Sequence, residues 1–147
     1  MFPITENELT ACIPQKAPFL FISSLTEVSD NSCVTTFQFD AKHVLCYNGK
    51  LSAAGLLENM AQTSGCKWGY EDYTQGKKGK LIFIGEMSGF TFSRLPYCGE
   101  ELTTEALIEK VVFNVTIVSA KVKVGEEEIA SCRMKIFFEP EPELEEI

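Results

Sequence analysis

Residues 51–71, LSAAGLLENMAQTSGCKWGYE, constrain the fold more than any other stretch. They predict one long helix that is apolar on nearly every side. Ser52 is placed as its N-cap, because a serine hydroxyl accepts from the backbone N–H groups that open a helix. Leu56, Leu57, Met60 and Ala61 follow at helical spacing behind Ala53 and Ala54. A helix that is apolar all round belongs in a core, so the remaining chain must cover it. Gly55, Gly65 and Gly69 each weaken a free helix by about 1 kcal/mol. They fit positions where another backbone comes close. Glu58 is the single carboxylate in the first half of this helix. An ionisable group there is costly unless paired or used, which makes Glu58 the first candidate for chemistry. Its alternative role is to hydrogen-bond a buried backbone group.

The flanking sequence supplies the cover. Residues 5–12 predict a short helix, with Thr5 and Glu8 as a capping box. Phe19–Val28 and Ser32–Phe39 read as strands joined by a turn at 29–31; Cys33, Thr35, Phe37 and Phe39 share one face of the second. Residues 40–50 form a loop whose strongest turn signal is Asn48-Gly49. After the helix and the QGKKGK loop at 75–80 the chain reads as β-structure. Leu81–Gly85 and Gly89–Arg94 are short runs. Leu102–Val124 is too long for one strand and is expected to break near Lys110. Ala130, Cys132, Met134, Ile136 and Phe138 alternate in a last strand. Short turns between the late strands require antiparallel pairing. The expected fold is α+β: one domain over residues 1–139, with a curved antiparallel sheet wrapped around the central helix, then an acidic tail at 140–147.

Composition removes several classes of function. A net charge of −8 argues against nucleic acid, whose phosphates need clustered Lys and Arg. His43 is the only histidine, which excludes a multi-histidine metal site in one chain; no metal or other cofactor is expected. The six cysteines have no zinc-like spacing and are read as reduced, mostly buried thiols. There is neither a membrane-spanning run nor a secretory signal, so a cytoplasmic protein is expected.

Three segments carry a family resemblance. IPQKAPFLFISSL (13–25) resembles the opening L-P-H-R-x-P-F-L-L-V-D-R-V of the β-hydroxyacyl-acyl-carrier-protein dehydratases. GLLENMAQTSG (55–65) resembles their helix motif, with the E-x-M-A-Q pattern on Glu58, Met60, Ala61 and Gln62. RLPYCGEELTTEA (94–106) is similar to their R-P-V-x-P-G-D-x-L segment. The agreement runs in order along nearly the whole chain. The resemblance implies the hotdog fold, a homodimer or higher homo-oligomer, and a substrate carried as a thioester on acyl carrier protein or coenzyme A. The loop HVLCYNGKLSAAG departs from the family's H-F-P-G-H-P-x-M-P-G, having one histidine and no proline, and the span from His43 to Glu58 is one residue longer. Gln15 stands at the family's opening histidine, and Ser23-Ser24 at its Asp-Arg pair. In this the chain resembles the divergent dehydratase-like hotdog proteins of aryl-polyene and flexirubin-type pigment synthesis.

The resemblance implies a chemistry. Dehydrating a 3-hydroxyacyl thioester, in fatty-acid or polyene-type lipid synthesis, removes a proton alpha to the carbonyl and gives one to the departing hydroxyl. His43 is the expected base. Glu58 is the expected acid, its pKa raised by an apolar pocket, and the two are expected to meet across a dimer interface. Free backbone N–H groups at residues 53–55 would receive the thioester oxygen, with Ala54 and Gly55 leaving room for it. Gln62, one turn beyond Glu58, would orient the carboxylate or a water; its alternative is structural. Asn48 and Gly49 are candidate substrate contacts, or simply a turn. A basic patch of Lys77, Lys78, Lys80 and Arg94 is a candidate dock for the acidic carrier. Two other readings compete: an acyl thioesterase of the same fold, and a non-catalytic acyl-thioester-binding subunit.

Overall fold

A computed structural model describes residues 2–79 and 81–139. Strand β1 (Ile4–Thr5) leads into helix α1 (Glu6–Cys12). Strands β2 (Ser24–Val28) and β3 (Ser32–Gln38) form a hairpin, closed where Ser29 N–H donates to the Ser32 carbonyl at 2.8 Å. A miniature hairpin, β4 (Cys46–Tyr47) and β5 (Lys50–Leu51), precedes helix α2 (Ala53–Thr74). Strands β6 (Ile82–Phe92), β7 (Glu101–Val112), β8 (Val115–Val124) and β9 (Glu127–Phe138) complete the described chain. One seven-stranded sheet runs β1-β2-β3-β7-β8-β9-β6, antiparallel at every pairing, and α2 packs on β3, β7 and β8. The expected α+β architecture is what forms. The acidic tail expected at 140–147 lies outside the described residues.

Alternation along each strand makes the core. Cys33, Thr35 and Phe37 of β3, Leu102, Thr104 and Ala106 of β7, Val118, Ala120 and Val122 of β8, and Ala130, Cys132, Met134 and Ile136 of β9 are all buried on the helix side. Register shifts at Ile84/Glu86, Ile108/Lys110 and Val122/Lys123 interrupt the ladders. Such bulges bend and twist a sheet, which lets this one curl around α2. Leu56 and Met60 are fully buried against it; each side chain contributes on the order of 1.5–3 kcal/mol of burial. Ser52 caps α2 as expected, its Oγ accepting from Gly55 N–H at 3.2 Å. At the other end Gly76, at φ +66°, turns the chain so that Lys77 N–H reaches the Asp72 carbonyl at 2.9 Å.

Several local expectations need correction. Residues 19–23 are not strand; the backbone of Phe19 and Phe21 is bound by side chains of α2 instead, and β2 starts only at Ser24. Thr5 makes no side-chain cap bond, so the capping box does not form. The two short runs at 81–94 are one strand, bulged at Ile84/Glu86 and Ser88/Thr91. The break expected near Lys110 is only a bulge; the turn comes at Phe113-Asn114, with Phe113 at φ +56° and 98 % exposed. The buried face of α2 is also more polar than its composition implies, since Asn59, Gln62, Thr63 and Ser64 all lie inside.

Of the three helix glycines, Gly69 most clearly answers to backbone proximity. A Cβ there would sit 1.6 Å from the Cys12 carbonyl oxygen and 2.6 Å from its carbon, so only separating α1 from α2 would relieve it. At Gly55 the crowding comes from the Leu51 side chain, and at Gly65 a Cβ meets nothing within 4 Å. Gly69→Ala is expected to cost about 1–3 kcal/mol by overpacking. Gly65→Ala is expected to be neutral or to stabilise by up to about 1 kcal/mol through helix propensity. Urea midpoints measure both, and equal midpoints would refute the close approach of the two helices.

Candidate active site

The loop that carries His43 is wired locally. Asp40 Oδ1 accepts from Lys42 N–H at 2.8 Å, the Asp40 carbonyl from His43 N–H at 3.1 Å, and the His43 carbonyl from Cys46 N–H at 3.0 Å. Ser52 N–H donates to the Leu45 carbonyl at 2.9 Å, tying this loop to the start of α2. Between them Asn48 (φ +52°) and Gly49 (φ +76°) make the two-residue turn of the β4–β5 hairpin, the left-handed pair that Asn-Gly favours. Asn48 and Gly49 are therefore turn-formers first; Asn48 is exposed and the Gly49 carbonyl is taken by Cys98 N–H at 2.9 Å.

The His43 ring is held on three sides. Nε2 lies 3.0 Å from the Leu20 carbonyl oxygen. A carbonyl only accepts, so Nε2 carries the proton, and in the neutral ring Nδ1 is the nitrogen with the lone pair. Nδ1 is buried and without a hydrogen-bond partner. Phe21 and Phe37 meet the ring edge-on, with centroids 4.5 and 5.3 Å away. This arrangement suits a base: one nitrogen fixed, the other free in apolar surroundings.

Glu58 sits elsewhere. It is exposed on α2, which corrects the expectation of a carboxylate enclosed by apolar groups within its own chain. It lines a groove of about 530 Å³ running along α2. Ala61, Gln62, Gly65 and Trp68 form one wall, Cys12 to Gln15 a second, and Leu81, Ile82 and Ile84 of the β6 side a third. His43 lines a different groove, with Leu20, Ile22, Phe37, Lys42 and Val44. One chain thus brings neither group to the other.

The remaining candidates divide. Ala53 and Ala54 leave their N–H groups without partners among the described residues, and Ala54 is exposed; Gly55 N–H is already spent on Ser52 Oγ. Gln62 does not reach out to Glu58. Its Nε2 donates to the Phe19 carbonyl at 2.9 Å and its Oε1 accepts from Phe21 N–H at 2.8 Å. Asn59, which sequence reasoning passed over, donates from Nδ2 to the Phe21 carbonyl at 2.8 Å and accepts from the Thr104 hydroxyl at 2.6 Å. The available signal was an amide on an otherwise apolar helix stretch. No cluster of His, Cys, Asp or Glu among the described residues could hold a metal ion.

Residues 7–147 match the ApeP-like family, described as ApeP dehydratase. The chain belongs to the ApeP-like dehydratase family. This ApeP-like protein is 28 % identical over 138 residues to the 3-hydroxyacyl-[acyl-carrier-protein] dehydratase FabZ of Listeria welshimeri, covering 90 % of its own length and 92 % of the relative. Its fold is shared with the dehydratase heterocomplex ApeI:P of Xenorhabdus doucetiae, at a TM-score of 0.80 and 15 % identity over 90 % of this chain and 91 % of that one. A hypothetical thioesterase of Streptococcus pneumoniae, solved with coenzyme A, has the fold at a TM-score of 0.63 and 14 % identity, over 78 % and 84 % of the two chains. The hotdog architecture expected from the sequence is thereby shown.

In this ApeP-like chain one member of the expected basic patch is already engaged. Lys80 lies outside the described residues, and Arg94 is bound by Glu100 at 2.8 Å and Glu127 at 3.2 Å. The Arg94 hydrogen bond, with help from Tyr97 N–H, holds the Glu100 carboxyl below its ordinary range. A carboxylate lowered in this way adds stability above its unfolded pKa and loses it as pH falls through the folded one. The pair is about one-quarter exposed, at 29 % and 27 %, so solvent screening limits the contribution to about 1 kcal/mol or less. Glu100→Gln is expected to lower the urea midpoint at pH 7, with the difference closing progressively below about pH 4.3. A difference that persists unchanged at pH 3 would assign the effect to packing instead.

Proposed function

We propose that this protein dehydrates a 3-hydroxyacyl thioester carried on acyl carrier protein to the 2-enoyl thioester, as a cytoplasmic homodimer whose two sites each draw on both chains. The observation that carries this reading is His43: its Nε2–H is spent on the Leu20 carbonyl, leaving Nδ1 as a buried, unpartnered acceptor. Nδ1 takes the proton alpha to the thioester carbonyl. The developing enolate oxygen is received by the free N–H groups of Ala53 and Ala54 at the positive end of α2. Glu58 of the second chain gives its proton to the departing hydroxyl, which leaves as water. A 2-enoyl thioester remains, and proton transfer back from His43 to the carboxylate through solvent restores the site.

The second chain is supported by the edge of the sheet. Among the described residues β6 leaves one side of its backbone unpaired, and Phe83, Ile84 and Phe92 are exposed along it. An apolar, unpaired edge invites pairing with another chain. Because β6 also borders the groove that holds Glu58, a chain joined there closes that groove. The heterocomplex from Xenorhabdus offers a second form, in which the added chain is a different protein.

A thioesterase is the other reading, favoured by the open position of Glu58, where a carboxylate could activate water. Intact mass of a 3-hydroxyacyl carrier thioester after incubation separates the two. The expected result is loss of one water; release of free carrier thiol would replace the dehydratase with the thioesterase. Glu58→Gln and His43→Ala are each expected to lower kcat by about 10²–10⁴-fold. Mixed and reassembled, the two inactive variants form dimers with one intact site, and about a quarter of the wild-type activity is expected to return. Full activity in His43→Ala would sink the dehydratase mechanism. No recovery on mixing, in dimers shown to have exchanged, would sink the composite site.

A further inference from the structure

We infer that Asn59 and Gln62 are positioning residues for His43, acting through the backbone of residues 19–21. The catalytic consequence rests on the dehydratase reading above; the geometry does not. Residues 19–22 have no strand partner, and the first ladder-like bond of this segment is Ser23 N–H to the Thr36 carbonyl at 2.7 Å. What holds the segment is α2. The Gln62 carboxamide spans Leu20, giving a proton to the Phe19 carbonyl and taking one from Phe21 N–H. These are the two groups that a neighbouring strand would otherwise supply. Asn59 takes the Phe21 carbonyl from the same side. In extended chain, polar groups of successive residues point to opposite sides. Fixing Phe19 and Phe21 toward α2 therefore turns the Leu20 carbonyl the other way, to His43 Nε2.

Asn59 cannot swap its donor for its acceptor. The Phe21 carbonyl only accepts, so it takes Nδ2, and Oδ1 is left to accept from the Thr104 hydroxyl at 2.6 Å. Asn59, Thr63 and Thr104 are fully buried, so no water competes for these bonds. The Phe21 that they hold also places its ring 4.5 Å from the imidazole. Two of the three contacts that orient His43 thus come from residues clamped by α2. Glu58 immediately precedes Asn59 on the same helix. In the proposed dimer, one helix would then fix the acid of one site directly and the base of the other through the backbone.

His43 is the only histidine, so histidine labelled with nitrogen-15 reports one ring in the tag-free protein. The expected wild-type signature is an Nε2–H protected from solvent exchange, with ring contacts to Phe21 and Phe37. In Asn59→Leu and Gln62→Met that proton is expected to exchange at least about tenfold faster, equivalent to one lost hydrogen bond. The Thr104 hydroxyl bonds Asn59 and not the segment itself, so Thr104→Val is expected to act in the same direction, more weakly. In the assay, kcat is expected to fall about 10–100-fold in the first two variants, with KM little changed. If Asn59→Leu fails to fold, Gln62→Met and Thr104→Val carry the test. An unchanged Nε2–H signal in those two, both folded by circular dichroism, overturns the inference whatever the activity. A changed signal in a protein whose wild type makes no enoyl product leaves the positioning standing and removes the dehydratase reading instead.

Discussion

The seat of α2 in the concave sheet is a set of buried hydrogen bonds, and the other features depend on it. Thr63 Oγ1 donates to the Asn59 carbonyl at 2.8 Å, so the Thr35 hydroxyl, 2.7 Å away, is the donor between the two threonines. Thr104 on β7 donates to Asn59, and the Cys33 thiol on β3 to the Thr63 carbonyl at 3.0 Å. A sheet-to-helix contact made only of Leu, Met and Cys would tolerate small rotations of the helix. Buried polar groups do not, because each one left unpaired costs about 1–3 kcal/mol. Helix rotation and axial position are therefore fixed together, by residues whose partners lie on two different strands.

That rigidity matters because the candidate site is assembled from poorly secured parts. The His43 loop has no strand of its own, and residues 19–22 have no ladder. Both are fastened to α2: the loop where Ser52 N–H meets the Leu45 carbonyl, the segment through Asn59 and Gln62. The glycine at 69 contributes from the other end of the helix, letting α1 lie against it. One element thus sets the positions of the imidazole, the carboxylate and the free N–H groups at its own start. The site needs a stiff helix more than a stiff loop.

Much of this was legible in the sequence where the cause is local. The Ser52 cap, the Asn48-Gly49 turn and the alternation of Ala130 to Ile136 each follow from a few adjacent residues. The failures share a non-local cause. Phe19–Ser23 has the composition of a strand, but its hydrogen bonds go to amides some forty residues away, which no periodicity reveals. The β7–β8 turn falls at Phe113-Asn114, where Val112 pairs with Val115 and Val115 with Phe137 of β9, so its place goes with pairings across the sheet and not with the turn residue Asn114 alone. Glu58 and His43 were both singled out, yet which groove each would face depends on how α2 is rotated. That rotation is set by Asn59 and Thr63, which read as incidental polar residues on an apolar helix.

The exposed position of Glu58 and the bare edge of β6 have one physical origin. A sheet curled around one helix can cover only part of it, and here the cover ends at β6, whose side borders the groove beside Ala61, Gly65 and Trp68. The α2 residues facing that opening are small or apolar apart from Glu58 and Gln62, Gln15, Lys78 and Glu139 add polar groups around it, and Leu81 with Ile84 of β6 presents exposed apolar surface beside them. Apolar surface and unpaired strand groups in one place are both relieved by the same event, the addition of another chain. Covering the groove would also take water from around the Glu58 carboxylate. The enclosure that the proposed chemistry asks of Glu58 would then come from assembly and not from the fold of one chain.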